Sequence, residues 1–110
     1  MDINIKSVED VTVVELAGDV DANTAPIVRE KVVPLTAPGS KILLDMTNVN
    51  YMSSAGLRML LSLYRQGLAT DTKLALVGLS EDIEDTMSVT GFLDFFTTCE
   101  TVDLGMAVLK

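Results

Sequence analysis

Histidine is absent from this 110-residue chain, and cysteine occurs only once, at Cys99. Without histidine the chain cannot build a Ser-His-Asp triad, a Cys-His pair or a histidine phosphorelay. One cysteine without histidine also excludes the usual zinc sites. We therefore expect no enzymatic activity of its own, no metal and no cofactor. A lone cysteine forms no disulfide framework, which is typical of a reducing cytoplasm.

Basic residues are also scarce, with 8 Lys and Arg against 16 Asp and Glu, giving a net charge of −8. This balance argues against nucleic acid or an anionic membrane as the partner and favours a basic protein surface. No apolar run approaches the ~18 residues of a membrane span. Residues 1–4 lack the basic and apolar regions of a signal peptide. The sequence therefore predicts a cytoplasmic protein that acts on other proteins.

Apolar residues make up 48% of the chain, which predicts one folded domain over residues 1–110. Four segments have the apolar and β-branched character of strands, and an edge strand is predicted after them. The predicted strands are Asp2–Lys6, Val11–Leu16, Lys41–Asp45, Lys73–Val77 and Thr97–Val102. Gly18 is expected to be the turn residue that follows the second strand.

Helix signals separate most of these strands. A first helix is predicted to run from an N-cap at Asn23 or Thr24 to about Val33. The other three predicted helices are Leu57–Leu68, the segment from Ser80 to Gly91, and Leu104–Lys110. This alternation predicts an α/β fold with a mixed, largely parallel sheet of four or five strands and about four helices, two of them mainly on one face.

The segment Ser53-Ser54-Ala55-Gly56 carries the most functional information. It lies between a buried strand and an apolar repeat at helical spacing (Leu57, Leu60, Leu61, Tyr64 and Leu68). A helix start can be capped by a hydroxyl or can hold a phosphate, so the serines are either a cap or a switch. Gly56 sits where alanine favours a helix, which suggests that a backbone or side chain approaches closely there.

Catalytic interpretations of the serine segment are poor. A nucleophile elbow needs glycine two residues before the serine, but Met52 occupies that position. A phosphate-cradling loop needs a Gly-Lys-Ser/Thr sequence, and no lysine is nearby. The segment therefore does not predict an enzyme.

Gly18–Thr24 places two acids, Asp19 and Asp21, between a strand and a helix. Three interpretations remain open. The acids weakly resemble the pair of an aspartyl-phosphate hydrolase, the segment is a solvated turn before a capped helix, or it is a loop that contacts a partner. Phe92–Phe96, which holds all three phenylalanines, is interpreted as core at a helix end or as an exposed interaction patch.

Several segments in order resemble the STAS domains of bacterial anti-sigma factor antagonists, and the resemblance covers almost the whole chain. The matching segments are Val14–Asp21, Leu43–Met46, Tyr51–Leu57 with Leu60 and Leu61, Lys73–Gly78 and Thr90–Phe92. Each segment alone is a weak signal, but their combination and order are specific.

The resemblance implies a phosphorylation switch. In that family an anti-sigma factor of the GHKL ATPase type phosphorylates the serine two residues before the glycine of an Asp-Ser-Ser/Thr-Gly motif, which corresponds to Ser54. Ser53 stands at the position of the family's Asp and is a minor alternative acceptor; Ala55 replaces the second hydroxyl residue. ATP would be used by the kinase, and a PPM-type phosphatase would remove the phosphate.

Two functions follow from the resemblance. In the first, the unphosphorylated protein binds the kinase and releases its sigma factor or another target, and phosphorylation ends binding. In the second, the protein is a non-phosphorylated STAS adaptor in a lipid-transport or stress-sensing assembly. Because functional loops gather at the carboxyl ends of parallel strands, we expect a joint partner surface. Its predicted residues are Asp19, Asp21, Asn23, Thr24, Ser53, Ser54, Gly56, Leu57 and Arg58, with Met59 as further anchorage if exposed.

Overall fold

The computed structural model describes residues 1–110 and contains one five-stranded sheet. Its strands are β1 (Asp2–Val8), β2 (Val11–Val20), β3 (Lys41–Met52), β4 (Lys73–Val77) and β5 (Thr97–Cys99). They lie side by side in chain order, with β1 antiparallel to β2 and all other neighbours parallel. The predicted mixed, largely parallel sheet is therefore confirmed.

Three helices lie between the parallel strands in the chain, and a fourth follows the last strand. They are α1 (Ala25–Val32), α2 (Ser54–Thr70), α3 (Glu81–Val89) and α4 (Val102–Leu109), with short 3-10 turns at Val33–Leu35 and Phe92–Phe95. Ser80 caps α3 as predicted, because its hydroxyl accepts a hydrogen bond from the Ile83 amide at 3.2 Å. Gly91 follows α3 in a left-handed conformation, as expected for a helix end. None of the four helices combines the length and apolar character needed to cross a bilayer.

The sheet separates two apolar clusters because alternate residues of each strand face opposite sides. Val14, Ile42 and Leu44 belong to the larger cluster, which α1, α2 and α3 cover. Val13 and Leu43 belong to the smaller cluster, which α4 covers through Leu109. Three helices therefore share one face, and the prediction that only two do so is wrong.

Two strands are longer than predicted. β3 continues past Asp45 to Met52, because Val49 and Met52 are buried and the segment pairs with the end of β2. β2 continues past Gly18, which adopts φ +116° in the strand and lies at one of two register shifts with β3. Gly18 therefore forms a bulge in a continuing strand rather than the predicted turn.

The final strand and helix are also displaced from their predicted bounds. β5 ends at Cys99 rather than Val102, because Thr101 already caps α4 by accepting a hydrogen bond from the Leu104 amide at 3.2 Å. Cys99 is half-buried against the smaller apolar cluster, where it acts as a small packing residue.

The apolar face of α2 differs from the predicted stripe. Leu57 and Leu60 are buried as expected, but Leu68 is 66% exposed. Leu63 and Gly67 complete the buried face instead. At 3.6 residues per turn, Leu68 lies about 100° around the helix from Gly67, so only one of the two can face the core.

Phe92–Phe96 is neither fully core nor fully exposed. Phe92 and Phe96 are partly buried against the larger cluster, whereas Phe95 is 49% exposed. The Tyr64 ring on α2 contacts both neighbouring rings, with centroid distances of 5.5 Å to Phe95 and 5.7 Å to Phe96. This segment directly precedes β5, so it lies at the amino end of the parallel strands.

Candidate functional site at the ends of two parallel strands

The two segments singled out by sequence meet at the carboxyl ends of β2 and β3. Val20 pairs with Met52 in the parallel ladder. One residue later the Ser53 amide donates a hydrogen bond to the Val20 carbonyl oxygen at 2.9 Å. The start of α2 is therefore attached to the end of β2, and the loop from Asp21 to Thr24 begins beside it.

The two adjacent serines have different roles. Ser53 is the N-cap of α2: it is extended, half-buried, and its hydroxyl accepts a hydrogen bond from the Gly56 amide at 3.4 Å. Ser54 is the first helical residue and is exposed. Capping therefore accounts for Ser53 and leaves the Ser54 hydroxyl accessible to another molecule.

Gly56 brings α2 against the end of β2. It is buried, and a Cβ atom added there would lie 2.4 Å from Met52 Cγ and 3.0 Å from the Val20 carbonyl oxygen. Only glycine permits this approach without displacement. The close contact expected from sequence is thus made within the chain, and Gly56 offers no side chain to a partner.

The loop after β2 is ordered by its own polar groups. Asp21 Oδ1 accepts hydrogen bonds from the amides of Asn23 at 2.9 Å and Thr24 at 3.1 Å. The Thr24 hydroxyl donates to the Asp19 carbonyl oxygen at 2.7 Å and accepts from the Asp21 amide at 2.9 Å. Thr24 holds the N-cap position of α1, one of the two positions predicted, but its hydroxyl bonds within the loop and makes no side-chain capping bond to the helix.

These hydrogen bonds have an electrostatic consequence. The amides of Asn23 and then Thr24 hold the pKa of the Asp21 carboxyl below its usual range. The carboxylate form of Asp21 therefore stabilises the folded loop. This contribution is fully present above the ordinary aspartate pKa of about 3.9 and is lost as the pH falls through the lower pKa of the folded state.

Asp21→Asn should therefore remove part of the acid sensitivity of the fold. We expect its free energy of unfolding to fall less than that of the wild type between pH 4 and pH 2, measured by urea unfolding. Asp19→Asn is the matched control, because the exposed Asp19 side chain makes no hydrogen bond within the chain. Equal acid sensitivity of wild type and Asp21→Asn would contradict this role.

The predicted contact residues divide by exposure. Asp19, Asn23, Ser54 and Arg58 are exposed, and Asp21, Thr24 and Ser53 are half-buried. Leu57 and Met59 are only 7% and 5% exposed. Anchorage by Leu57 or Met59 was expected only if they were exposed, and this condition is not met, because both side chains pack into the core beneath α2.

Sequence reasoning missed two features beside Ser54. Tyr51, near the end of β3, is 55% exposed, and no alternation of apolar and polar residues in the sequence indicated this exposure. A groove of about 410 Å³ separates α1 from α2. Its lining residues are Ala22, Ala25, Pro26, Arg29, Ala55, Arg58, Met59 and Ser62. No signal in the sequence places Arg29 and Arg58 at one site, because they come to line the same groove only through the packing of α1 against α2.

Comparison with known proteins identifies the family. The family model described as the STAS domain matches residues 2–105. The chain belongs to the STAS family. Among curated STAS relatives, the anti-sigma-B factor antagonist of Bacillus subtilis (strain 168) is 31% identical over 94 residues, which cover 86% of each chain. The predicted membership among anti-sigma factor antagonists is therefore confirmed.

Solved structures show the same STAS fold. A putative anti-sigma factor antagonist from Thermotoga maritima superposes with a TM-score of 0.88 at 19% identity, covering 97% of this chain and 93% of that one. The Bacillus cell fate determinant SpoIIAA in its phosphorylated form superposes with a TM-score of 0.75 at 16% identity, covering 99% and 100%. At these identities the structural comparisons establish the fold alone.

Proposed function

We propose that this STAS domain is a phosphorylation-switched binding protein. In its unphosphorylated form it binds a GHKL-type serine kinase that is also an anti-sigma factor, and so releases the sigma factor or other target of that kinase. Phosphorylation of Ser54 by the kinase, with ATP as phosphate donor, ends the interaction. A PPM-type phosphatase restores the binding form.

The accessible Ser54 hydroxyl is the observation that carries this proposal. Ser54 is exposed at the first position of α2, while the neighbouring Ser53 hydroxyl is engaged in capping. A kinase needs a hydroxyl that can enter its active site and align with the γ-phosphate of ATP. The exposed Ser54 hydroxyl meets this requirement while α2 stays folded. Family membership and a relative named anti-sigma-B factor antagonist support the choice of partner.

The position of Ser54 also suits a switch that leaves the fold intact. A phosphate adds a charge of about −1.5 to −2. At a helix N-terminus the unpaired amides and the helix dipole favour such a charge. The first turn of α2 contains no acidic residue that would repel it. The modified protein should therefore stay folded. The partner surface, which carries a neutral serine in the binding form, then carries a dianionic phosphate instead.

Incubation with the cognate kinase and ATP tests the proposal. Wild type should gain the mass of one phosphate, and Ser54→Ala should gain none. Ser53→Ala is the matched control: loss of the cap costs about 1 kcal/mol of stability, yet the acceptor remains, so this variant should still be phosphorylated. Phosphorylation of Ser54→Ala to the wild-type extent would contradict the assignment and make Ser53 the next candidate. If no GHKL-type kinase encoded by a neighbouring gene phosphorylates the wild type, the adaptor function is favoured instead.

A further inference from the structure

We propose that the groove between α1 and α2 is the docking site for an acidic segment of the partner, with Arg29 and Arg58 binding its carboxylates. This inference rests on the proposed function, since it assigns the partner contact next to Ser54. The groove holds about 410 Å³, and none of its lining residues carries a carboxylate.

The first argument is the presence of two arginines without acidic partners. The chain has a net charge of −8, yet two of its 8 basic residues line this one groove. The three ion pairs within the chain all use lysines, namely Lys6, Lys41 and Lys110. Both arginines are exposed and free of such pairing. Arginine is suited to binding carboxylates through two parallel hydrogen bonds.

The second argument is that Arg29 is held in position. Its Nε donates a hydrogen bond to the Ser62 hydroxyl of α2 at 2.8 Å, which bridges the two helices across the groove. The terminal guanidinium nitrogens make no hydrogen bond within the chain. A guanidinium fixed in this way loses less side-chain entropy on binding than a free one.

The third argument is the shape of the groove and the electrostatic potential around it. Three of its lining residues are alanines, Ala22, Ala25 and Ala55, which allow another backbone to approach closely. α1 and α2 have no acidic residue in their first turns, whereas α3 and α4 do. The positive end of the α2 dipole therefore has no acidic residue of its own helix beside it, whereas the Asp21 carboxylate already lies at the start of α1. An acidic chain segment is the occupant that matches the two unpaired arginines and the positive end of α2.

The groove also gives phosphorylation a direct route to the binding surface. Arg58 follows Ser54 by four residues, so their Cβ atoms lie about 5–6 Å apart on one face of the helix. A phosphate on Ser54 attracts the Arg58 guanidinium and places a negative charge next to Ala55, which lines the groove. The carboxylate of the partner then loses one arginine and meets a like charge.

Kinase binding by single-charge variants tests the groove. Arg29→Gln and Arg58→Gln should each weaken the kinase affinity by about 10-fold or more, and less so at high salt. Arg65→Gln removes the same charge from an exposed site on α2 outside the groove and should change the affinity less than twofold. If wild type binds and Ser54 phosphorylation ends binding, but the groove variants bind like wild type, the groove inference is overturned and the proposed function stands.

A second probe does not depend on the kinase. An acetylated hexapeptide of alternating glutamate and leucine, titrated at low salt, should shift the amide NMR signals of Ala22, Ala25 and Ala55. The same peptide with glutamine for glutamate should not, and the double variant Arg29→Gln/Arg58→Gln should lose the response. Shifts at other residues, no shifts, or equal shifts with both peptides would overturn the groove inference. This outcome is independent of the kinase experiments, so it can be read even where the proposed function has failed.

Discussion

Phosphorylation of Ser54 is expected to weaken kinase binding by about 100-fold or more, which corresponds to about 2.7 kcal/mol. Ser54 is exposed at the start of α2, beside the loop that follows β2. A like-charge contact across an interface costs several kcal/mol, and the phosphate group also occupies space that a serine leaves open. Titration calorimetry with the purified phosphorylated and unphosphorylated proteins measures this difference.

Ser54→Asp should reproduce part of the effect, with a loss of about tenfold, because one carboxylate is smaller than a dianionic phosphate. Ser88→Asp on α3 is a matched control that adds the same charge at another exposed serine. Its affinity should stay close to wild type. Equal affinity of the phosphorylated and unphosphorylated proteins would rule out exclusion at Ser54 as the switching mechanism.

The sequence predicted those elements whose signals are local. Lys73–Val77 is an apolar run that forms β4 without any change of bounds. The capping residue Ser80 and the left-handed Gly91 mark α3 because their effect is confined to a few neighbouring residues. A parallel sheet with connecting helices follows from the order of these signals.

Features that depend on tertiary pairing were not predictable in this way. The segment after Asp45 contains Asn48 and Asn50, which favour turns, yet pairing with β2 and a bulge at Gly18 keep it extended to Met52. The roles of Ser53 and Ser54 depend on a helix boundary of one residue, which sequence patterns do not resolve. The α1–α2 groove joins residues of two separate helices and so has no local signal.

Gly56→Ala is expected to destabilise the fold by about 1–3 kcal/mol, although alanine is the better helix former. The added Cβ would overlap Met52 Cγ at 2.4 Å and press against the Val20 carbonyl oxygen at 3.0 Å. That carbonyl also accepts the hydrogen bond from the Ser53 amide, so the backbone of β2 cannot move without disturbing the helix start. Urea unfolding at neutral pH measures the change.

Gly67→Ala is the matched control on the same helix. Its nearest neighbour would be the Thr72 carbonyl oxygen at 3.3 Å, a tight but tolerable contact. The gain in helix propensity, up to about 1 kcal/mol, should offset that contact, so the stability should change little. Wild-type stability of Gly56→Ala would mean that the close approach is not required by the fold. Loss of stability would mean that weaker kinase binding by a Gly56 variant can arise through the fold, because the buried glycine lets the start of α2, and with it Ser54, lie against the end of β2.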